Sequence, residues 1–287
     1  MVSQDLTPIV IAGPTGSGKS ALAMKMAKEL GGEIVCADSR QIYERMSIGT
    51  AAPSQEEYIL VKHHGFEHLD PKEVYSAGRF VTDTDAFVQE IQSRGKVPLI
   101  VGGTGLYLRA WRFGLADVLP SDPQVRARLE QQDLSDLYLK LQEVDPASAA
   151  KIKATDPVRI LRALEILEIS GQPASQLRHT DWAREPRVNA RWLLLKPSKE
   201  ELDQRLKQRV DQMFEAGLVA EAVALRDYLG PAASPKGLLG TPGYAESLAL
   251  VDGLLTEQEM FERTFIRHRQ YAKQQVTWFQ KESWWAL

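Results

Sequence analysis

Short apolar runs alternate with amphipathic stretches along the first 113 residues of the chain. The apolar runs are rich in β-branched residues and predict three buried strands, at 6–12, 33–37 and 97–101. Apolar residues at helical spacing predict helices at 18–30, at about 76–94 and after the third strand through Phe113. Strands that alternate with helices predict a parallel sheet, and ligands of such sheets bind beyond the carboxyl ends of the strands.

The pattern changes after Pro120. Residues 121–178 contain only helical periods, 179–189 are polar and are interpreted as a linker, and 191–195 form a fourth apolar strand. Helical periods then fill the rest of the chain apart from a loop rich in glycine and proline. The predicted C-terminal helices are 198–216, 218–229, 243–252 and 256–281, with the loop at 230–242. We therefore predict an α/β core formed by 1–120 and 190–287, with a helical insertion domain at 121–189.

Composition restricts the class of protein. Of the 287 residues, 44% are hydrophobic and 25% are charged, which is typical of a folded globular chain. The single cysteine, Cys36, excludes a disulfide scaffold and a cysteine-based zinc finger. The sequence has neither a long apolar run nor a basic-then-apolar N-terminus, so we expect a cytoplasmic protein without membrane contact. A formal net charge of −3 means that any nucleic-acid surface must be local.

A phosphate-binding motif follows the first predicted strand. Residues 13–20 fit G-x-x-x-x-G-K-[ST] at every fixed position, and they lie between a strand and a helix, as the motif requires. The predicted diphosphate-binding residues are Gly13, Pro14, Thr15, Gly16, Ser17, Gly18, Lys19 and Ser20. Backbone N–H groups and the helix N-terminus would surround the anion, Lys19 would reach the outer phosphate, and the Ser20 hydroxyl would bind Mg²⁺. The core is therefore predicted to be P-loop NTPase-like.

The motif alone does not decide the reaction. An ATPase or GTPase usually has an aspartate at the end of an apolar strand to hold Mg²⁺, whereas the strand 97–101 ends in Gly102-Gly103-Thr104. Asp38 follows another strand, and as a residue type it could be a general base, a metal ligand or a helix cap. A histidine-rich segment, with His63, His64 and His68, resembles a metal cluster but has no partnering cysteine, and its histidines are interpreted as surface or packing residues.

Several segments of the chain, in their order, resemble the motifs of the bacterial tRNA dimethylallyltransferase family, whose members are also called tRNA isopentenyltransferases. The similar segments span nearly the whole chain and are 13–20, 38–43, 48–51, 102–107, 156–165, 209–213, 271–273 and 277–279. The resemblance implies a P-loop core with a helical insertion. It also implies transfer of a dimethylallyl group from dimethylallyl diphosphate to N6 of adenosine 37, beside the anticodon, with release of pyrophosphate.

The resemblance also implies roles for individual residues. Asp38, Thr104 and Arg209 are expected to be catalytic, with Asp38 as the base and Arg209 as a further diphosphate contact. From the sequence alone, a solvated charge on a charged helix is the favoured interpretation of Arg209. Thr104 could cap the following helix, a role that is compatible with the catalytic one. The target base must be turned out of the stacked anticodon loop into a pocket beside Asp38 before it can react. The residues expected to contact tRNA are Asp38, Ser39, Arg40, Gln41, Thr104, Arg126, Val158, Arg159, Ile160, Leu161 and Arg162.

The last predicted helix gives separate support for an RNA partner. Between Arg263 and Lys281 there are five lysine or arginine residues and no acidic one, with Tyr271, Trp278 and Phe279 interleaved. The same aromatic residues also fit a core-facing helix. The chain departs from the family at Ala245 and Gln274, where basic residues are usual, so two positive charges are missing from the expected RNA surface.

Three other functions are compatible with parts of this pattern. They are a P-loop small-molecule or nucleotide kinase, an NTP-switched RNA-binding module, and a prenyltransferase that acts on free adenine nucleotide. The missing Walker-B aspartate disfavours the kinase, and the long insertion with its arginines favours a large RNA acceptor. We expect a monomer that uses Mg²⁺ and acts on dimethylallyl diphosphate and tRNA.

Overall fold

The computed structural model describes residues 5–115, 121–177, 185–231 and 237–282. The chain forms two compact units, one made of Met1–Arg112 and Arg187–Leu287 and the other of Phe113–Pro186. The predicted linker 179–189 and loop 230–242 fall partly outside the described residues. Within the described ranges, no helix has both the length and the apolar character needed to cross a membrane.

A parallel five-stranded sheet forms the centre of the first unit. Its strands are β1 (Ile9–Ala12), β2 (Glu33–Cys36), β3 (His63–His64), β4 (Pro98–Gly102) and β5 (Arg191–Leu194), in the spatial order β3-β2-β4-β1-β5. β1 lies between β4 and β5, with Ile9 aligned to both Leu99 and Arg191. Every residue of β1, β2 and β4 is buried, as expected for parallel strands that are covered on both faces. The predicted α/β fold class is confirmed.

Helices begin and end close to the predicted bounds in most of the chain. The helices are α1 (Lys19–Leu30), α2 (Ser47–Thr50), α3 (Gln55–Leu60), α4 (Ala77–Ser93), α5 (Gly105–Phe113), α6 (Pro123–Glu130), α7 (Leu134–Val144), α8 (Pro146–Ala149), α9 (Pro157–Ser170), α10 (Ala174–Leu177), α11 (Lys199–Glu215), α12 (Leu218–Leu229), α13 (Tyr244–Val251) and α14 (Glu257–Gln280). Side-chain caps explain several starts: Ser198 accepts from Glu201 N–H before α11, and Thr256 does the same with Glu259 before α14.

Two apolar layers cover the sheet. Alternate residues of β1 point to opposite faces, so Val10 packs in one layer and Ile11 in the other. The first layer contains Phe80 of α4 and Tyr107 of α5, whose rings stack with centroids 4.7 Å apart. Phe279 of α14 lies in the same layer. The C-terminal helix is therefore part of the core of this unit.

The second unit has a core of its own. Its buried apolar residues come from α6, α7, α8, α9 and α10 and include Leu129, Leu141 and Leu164. The Glu165 carboxylate is fully buried and accepts hydrogen bonds from Ser121, the Asp122 N–H group and Arg162. These hydrogen bonds compensate the cost of burying a charge.

The short strand β3 was not predicted. His63 and His64 pair with Ile34 and Val35 of β2, and His64 is buried with its Nε2 2.7 Å from an oxygen of Glu33. Arg94 donates to the same Glu33 carboxylate at 2.6 Å. His64 is therefore a packing residue, in agreement with one of the two interpretations made from the sequence. A two-residue strand has no periodicity, which is why the pattern did not indicate it.

Candidate active site

The predicted phosphate-binding loop connects β1 to α1. Gly16 and Gly18 have positive φ angles of 78° and 87°, a conformation that glycine adopts at little cost. A Cβ atom on Gly16 would lie 2.9 Å from Leu206 of α11, so the loop also needs glycine there for close packing. Arg205, on the same helix, donates to the Ser17 carbonyl at 3.0 Å. The loop is thus held in shape by α11.

Gln275 of α14 joins this loop to the turn after β4. Its Oε1 accepts the Thr15 N–H group at 2.8 Å, and its Nε2 donates to the Gly103 carbonyl at 3.0 Å. The side chain is buried, and a Cβ atom on Gly103 would lie 2.4 Å from it. Sequence reasoning did not assign Gln275 to the site. The available signal was its position on the apolar face of α14, where a buried amide needs partners.

Lys19 is the first residue of α1 and is half-buried. Its Nζ lies 3.4 Å from the Pro14 carbonyl. Burial lowers the pKa of Lys19 to about 8, while the nearby Asp38 carboxylate acts in the opposite direction and the Arg209 guanidinium lowers it further. A bound anion would favour the protonated amine, so proton uptake by Lys19 would accompany anion binding.

Asp38 lies beyond the end of β2 with one carboxylate oxygen fixed. Its Oδ1 accepts the N–H groups of Arg40 at 2.8 Å and Gln41 at 3.4 Å. Within the described part of the chain, no hydrogen bond is donated to Oδ2. This arrangement fixes the carboxylate through the backbone and leaves its second oxygen free to accept a proton.

Thr104 links the ends of two strands. Its Oγ1 accepts the Ser39 N–H group at 3.0 Å, and its N–H group donates to the Ala37 carbonyl at 3.3 Å. A Cβ atom on Gly102 would lie 1.9 Å from that carbonyl, so glycine is required where β4 approaches β2. The Thr104 hydroxyl thus binds the segment after β2 at Ser39, the residue that follows Asp38. A side-chain cap would instead accept a hydrogen bond from an N–H group of α5.

Arg209 approaches the same region from α11. Its Nη2 donates to the Thr50 carbonyl at 2.8 Å, and its buried Nε has no hydrogen-bond partner among the described residues. Burial lowers the pKa of Arg209, and the Asp38 carboxylate opposes that effect. A buried donor without a partner costs about 1–3 kcal/mol, a cost that a phosphate oxygen would remove.

Tyr271 of α14 is a further member of the site. Burial raises the pKa of Tyr271 above its usual value, and the nearby Asp38 carboxylate raises it further. The hydroxyl makes no hydrogen bond with the described residues. The site thus contains two cations, Lys19 and Arg209, that interact electrostatically with one carboxylate, Asp38, and a phenol, Tyr271, that is neutral. The excess of positive charge suits an anionic ligand.

The predicted tRNA contacts divide between the two units. Asp38, Ser39, Arg40, Gln41 and Thr104 lie in the first unit with the phosphate-binding loop. Arg126 and the segment 158–162 lie in the second unit, where Ile160 and Leu161 are buried in its core and Val158 is exposed. Each arginine of this group has an acidic neighbour. The ion pairs are Arg126–Glu130 at 2.8 Å, Arg159–Asp156 at 3.4 Å and Arg162–Glu165 at 2.8 Å.

The predicted basic face of α14 is partly neutralised. Arg267 pairs with the buried Glu246 at 2.8 Å, and Arg269 pairs with Asp203 at 2.9 Å. Trp278 packs on Gly105, where a Cβ atom would lie 2.1 Å from its ring. The core-facing interpretation is thus confirmed for Trp278 and Phe279, which pack inward. Lys273 is exposed, and a contact of this helix with RNA stays a prediction.

Comparison with known proteins identifies a family. A family model described as IPP transferase matches residues 41–282, and one described as isopentenyl transferase matches residues 7–72. A tRNA dimethylallyltransferase of Anaeromyxobacter dehalogenans is 42% identical over 278 residues, which cover 96% of this chain and 92% of that protein.

Solved structures agree with the sequence comparison. The full-length tRNA isopentenylpyrophosphate transferase of Bacillus halodurans is 33% identical with a TM-score of 0.67, covering 97% of this chain and 88% of that one. A eukaryotic dimethylallyltransferase, described as acting on tRNA, is 33% identical with a TM-score of 0.79, and the match covers 94% of this chain and 69% of that one.

The pKa of Lys19 gives a testable pH dependence. Below pH 8 the amine is protonated, and above it the free protein holds a neutral amine that must gain a proton to pair with an anion. We expect the dissociation constant of inorganic pyrophosphate to rise by up to about tenfold between pH 8 and pH 9. Isothermal titration calorimetry measures it.

Lys19→Arg is the matched control, because arginine stays charged across this range. Ionisation of pyrophosphate itself affects both proteins equally. A ratio of the two dissociation constants that does not change with pH would contradict the assignment of the effect to Lys19.

Proposed function

The chain belongs to the IPP transferase family, and we propose that it transfers a dimethylallyl group from dimethylallyl diphosphate to N6 of adenosine 37 of tRNA. The relatives named above are tRNA dimethylallyltransferases or tRNA isopentenylpyrophosphate transferases. The observation that supports the proposal is that Asp38 lies near enough to two cationic groups, Lys19 and Arg209, to favour the charged form of both, next to a loop whose glycines have positive φ angles. This arrangement combines an acceptor for a proton with a site for an anionic leaving group.

The leaving group determines the role of the cations. When the bond between C1 of the dimethylallyl group and the bridging oxygen breaks, negative charge accumulates on the diphosphate. The N–H groups of the loop, Lys19 and Arg209 would stabilise that charge more strongly in the transition state than in the substrate. Arg209 is suited to this because its guanidinium can donate to two phosphate oxygens.

The nucleophile determines the role of Asp38. A new bond forms between N6 of adenosine and C1, and N6 must then lose a proton. The free oxygen of Asp38 would accept that proton, while the other oxygen stays bonded to Arg40 and Gln41 N–H groups. Thr104 would hold the Asp38 segment in place through Ser39.

The residues of the loop fit a Mg²⁺ ion that is bound together with substrate. The Ser20 hydroxyl is exposed at the start of α1, and the described residues contain no group of three or more His, Cys, Asp or Glu side chains that could hold a metal. Mg²⁺ usually takes few protein ligands and is completed by phosphate oxygens and water. When bound, it would add positive charge at the diphosphate.

The second unit would bind the tRNA. Its predicted contacts are Arg126 and the segment 158–162, of which Val158 and Arg159 are the exposed members. Phosphates would compete with the acidic neighbours for these arginines, which are half-buried or exposed. Action in the cytoplasm and as a monomer stays a prediction.

One assay tests the function against its alternatives. The protein is incubated with Mg²⁺ and labelled dimethylallyl diphosphate, with tRNA, AMP or ATP as the acceptor. We expect label in tRNA alone, and mapping of the labelled nucleotide to adenosine 37. Label in AMP or ATP would indicate a prenyltransferase of free nucleotides, phosphate transfer from ATP would indicate a kinase, and tRNA binding without transfer would indicate an RNA-binding module.

Asp38→Asn separates catalysis from binding. The amide keeps an oxygen for the Arg40 and Gln41 N–H groups but cannot take a proton at neutral pH. We expect kcat to fall by about 10²- to 10⁴-fold, with the dissociation constant for tRNA within about threefold of the wild type. Equal losses in kcat and in tRNA affinity, in this variant and in Asp38→Ala, would mean that Asp38 only binds.

The arginines of the second unit are expected to differ. The Arg159 side chain is 68% exposed, so Arg159→Ala should weaken tRNA binding and lower its salt dependence by about one charge, with unchanged stability. Arg162→Ala removes a partner of the buried Glu165 and should also lower the free energy of unfolding by about 1–3 kcal/mol. Filter binding at several salt concentrations and urea denaturation measure both effects.

Lys140→Ala is the matched control, since Lys140 is an exposed cation in the same unit, paired with Glu168 at 3.2 Å. The proposed contact fails if Lys140→Ala reduces tRNA affinity as much as Arg159→Ala.

A further inference from the structure

The N–H groups at the start of the short helix α2 donate to a carboxylate that is distant in the sequence. Glu221, in the first turn of α12, accepts the Ile48 N–H group on Oε2 at 2.9 Å and the Gly49 N–H group on Oε1 at 2.8 Å. The residue before α2, Met46, offers no side-chain cap. Glu221 thus satisfies two backbone donors that the first turn of a helix leaves without partners.

The other end of α2 holds two residues of the candidate active site. The Thr50 carbonyl accepts from Arg209 at 2.8 Å and from the Gln41 amide at 3.0 Å. The Gln41 amide also donates to the Ala51 carbonyl at 2.7 Å. Since α2 is only four residues long, a shift at its start moves these carbonyls.

Tyr244 fixes the carboxylate of Glu221 from a third helix. Its hydroxyl donates to Oε1 at 2.7 Å, and its ring is fully buried at the start of α13. Burial raises the pKa of Tyr244, and the Glu221 carboxylate raises it further, so the hydroxyl stays protonated and remains a donor. The ring lies against Gly49, where a Cβ atom would be 2.2 Å away. The position of α2 is thus determined from both sides.

We infer that Glu221 is a positioning residue for the transfer reaction, acting through α2 to hold the Arg209 guanidinium at the diphosphate. Glu221 belongs to none of the motifs found in the sequence, and it touches neither the phosphate-binding loop nor Asp38 in the hydrogen bonds of the described chain. The inference rests on the proposed function for its kinetic readout. Its effect on anion binding can be measured without that reaction.

Glu221→Gln is the test variant. The amide would direct its NH₂ group at one of the α2 N–H groups, two donors would face each other, and the helix would shift. We expect the dissociation constant of inorganic pyrophosphate to rise about tenfold and kcat/KM for dimethylallyl diphosphate to fall by about ten- to hundredfold. Calorimetry and the prenyl-transfer assay measure these quantities at a temperature where circular dichroism shows the variant to be folded.

Glu33→Gln is the matched control. Glu33 is a buried carboxylate that, like Glu221, accepts two hydrogen bonds from other parts of the chain, here from His64 and Arg94. It lies at the start of β2, the end of the strand away from Asp38. This variant should lose stability but keep both the pyrophosphate affinity and kcat/KM. If Glu221→Gln behaves in the same way, Glu221 is only structural and the inference is wrong.

A double-mutant cycle decides whether the effect passes through Arg209. In an Arg209→Ala background, Glu221→Gln should change pyrophosphate affinity by less than about twofold, because the group it positions is gone. An unchanged tenfold effect in that background would overturn the inference. Wild-type protein that binds pyrophosphate but transfers no prenyl group would contradict the proposed function and leave this cycle valid.

Tyr244→Phe is the second variant if Glu221→Gln does not fold. It removes one hydrogen bond to the carboxylate and keeps the ring on Gly49. We expect a rise of about two- to threefold in the pyrophosphate dissociation constant that disappears in the Arg209→Ala background. A rise that persists there, or no rise at all, would count against positioning by this cluster.

Discussion

Charge burial is the constraint on which the site depends. Lys19 and Arg209 are both partly withdrawn from water, and burial lowers the pKa of each. Without a counter-charge this arrangement would be costly, and Asp38 supplies one negative charge beside two positive ones. The remaining positive charge is stabilised when an anion binds, which couples the folding of this region to its ligand.

The fold holds these groups through neutral hydrogen-bond partners rather than through ion pairs. Asp38 is oriented by N–H groups, Arg209 by the Thr50 carbonyl, and the phosphate-binding loop by the amide of Gln275. Neutral partners fix a charged side chain without cancelling its charge. The cations therefore keep their attraction for a diphosphate, and the carboxylate keeps an oxygen for a proton.

The two units differ in how exposed their cations are and in which groups pair with them. In the second unit, Arg162 is tied to a buried carboxylate, whereas Arg159 is largely exposed. A ligand that carries many phosphates gains most from exposed cations, since these lose little on exchanging one partner for another. Under the proposed function, the first unit would bind one small anion with defined geometry, and exposed Arg159 in the second would bind part of an extended polyanion.

The sequence by itself determined the parts that depend on neighbouring residues. Periodicity gave the strands and the long helices, and the phosphate-binding loop and Asp38 were found because a motif of eight residues and a strand end are local features. The bounds of α1, α4, α11 and α14 follow from these patterns to within one residue, whereas β1 begins three residues later than predicted. The family resemblance supplied the expectation for Arg209, which the residues alone left open.

Only the tertiary structure decided which side chains hold the site in place. Gln275 bonds to Thr15, which is 260 residues away in the chain, and Glu221 bonds to Ile48, which is 173 residues away. Neither contact leaves a repeat or a motif in the sequence, because each depends on how α12 and α14 pack against the first half of the chain. Short elements such as β3 and α2 were missed for the same reason: they are stabilised by their neighbours and not by their own residues.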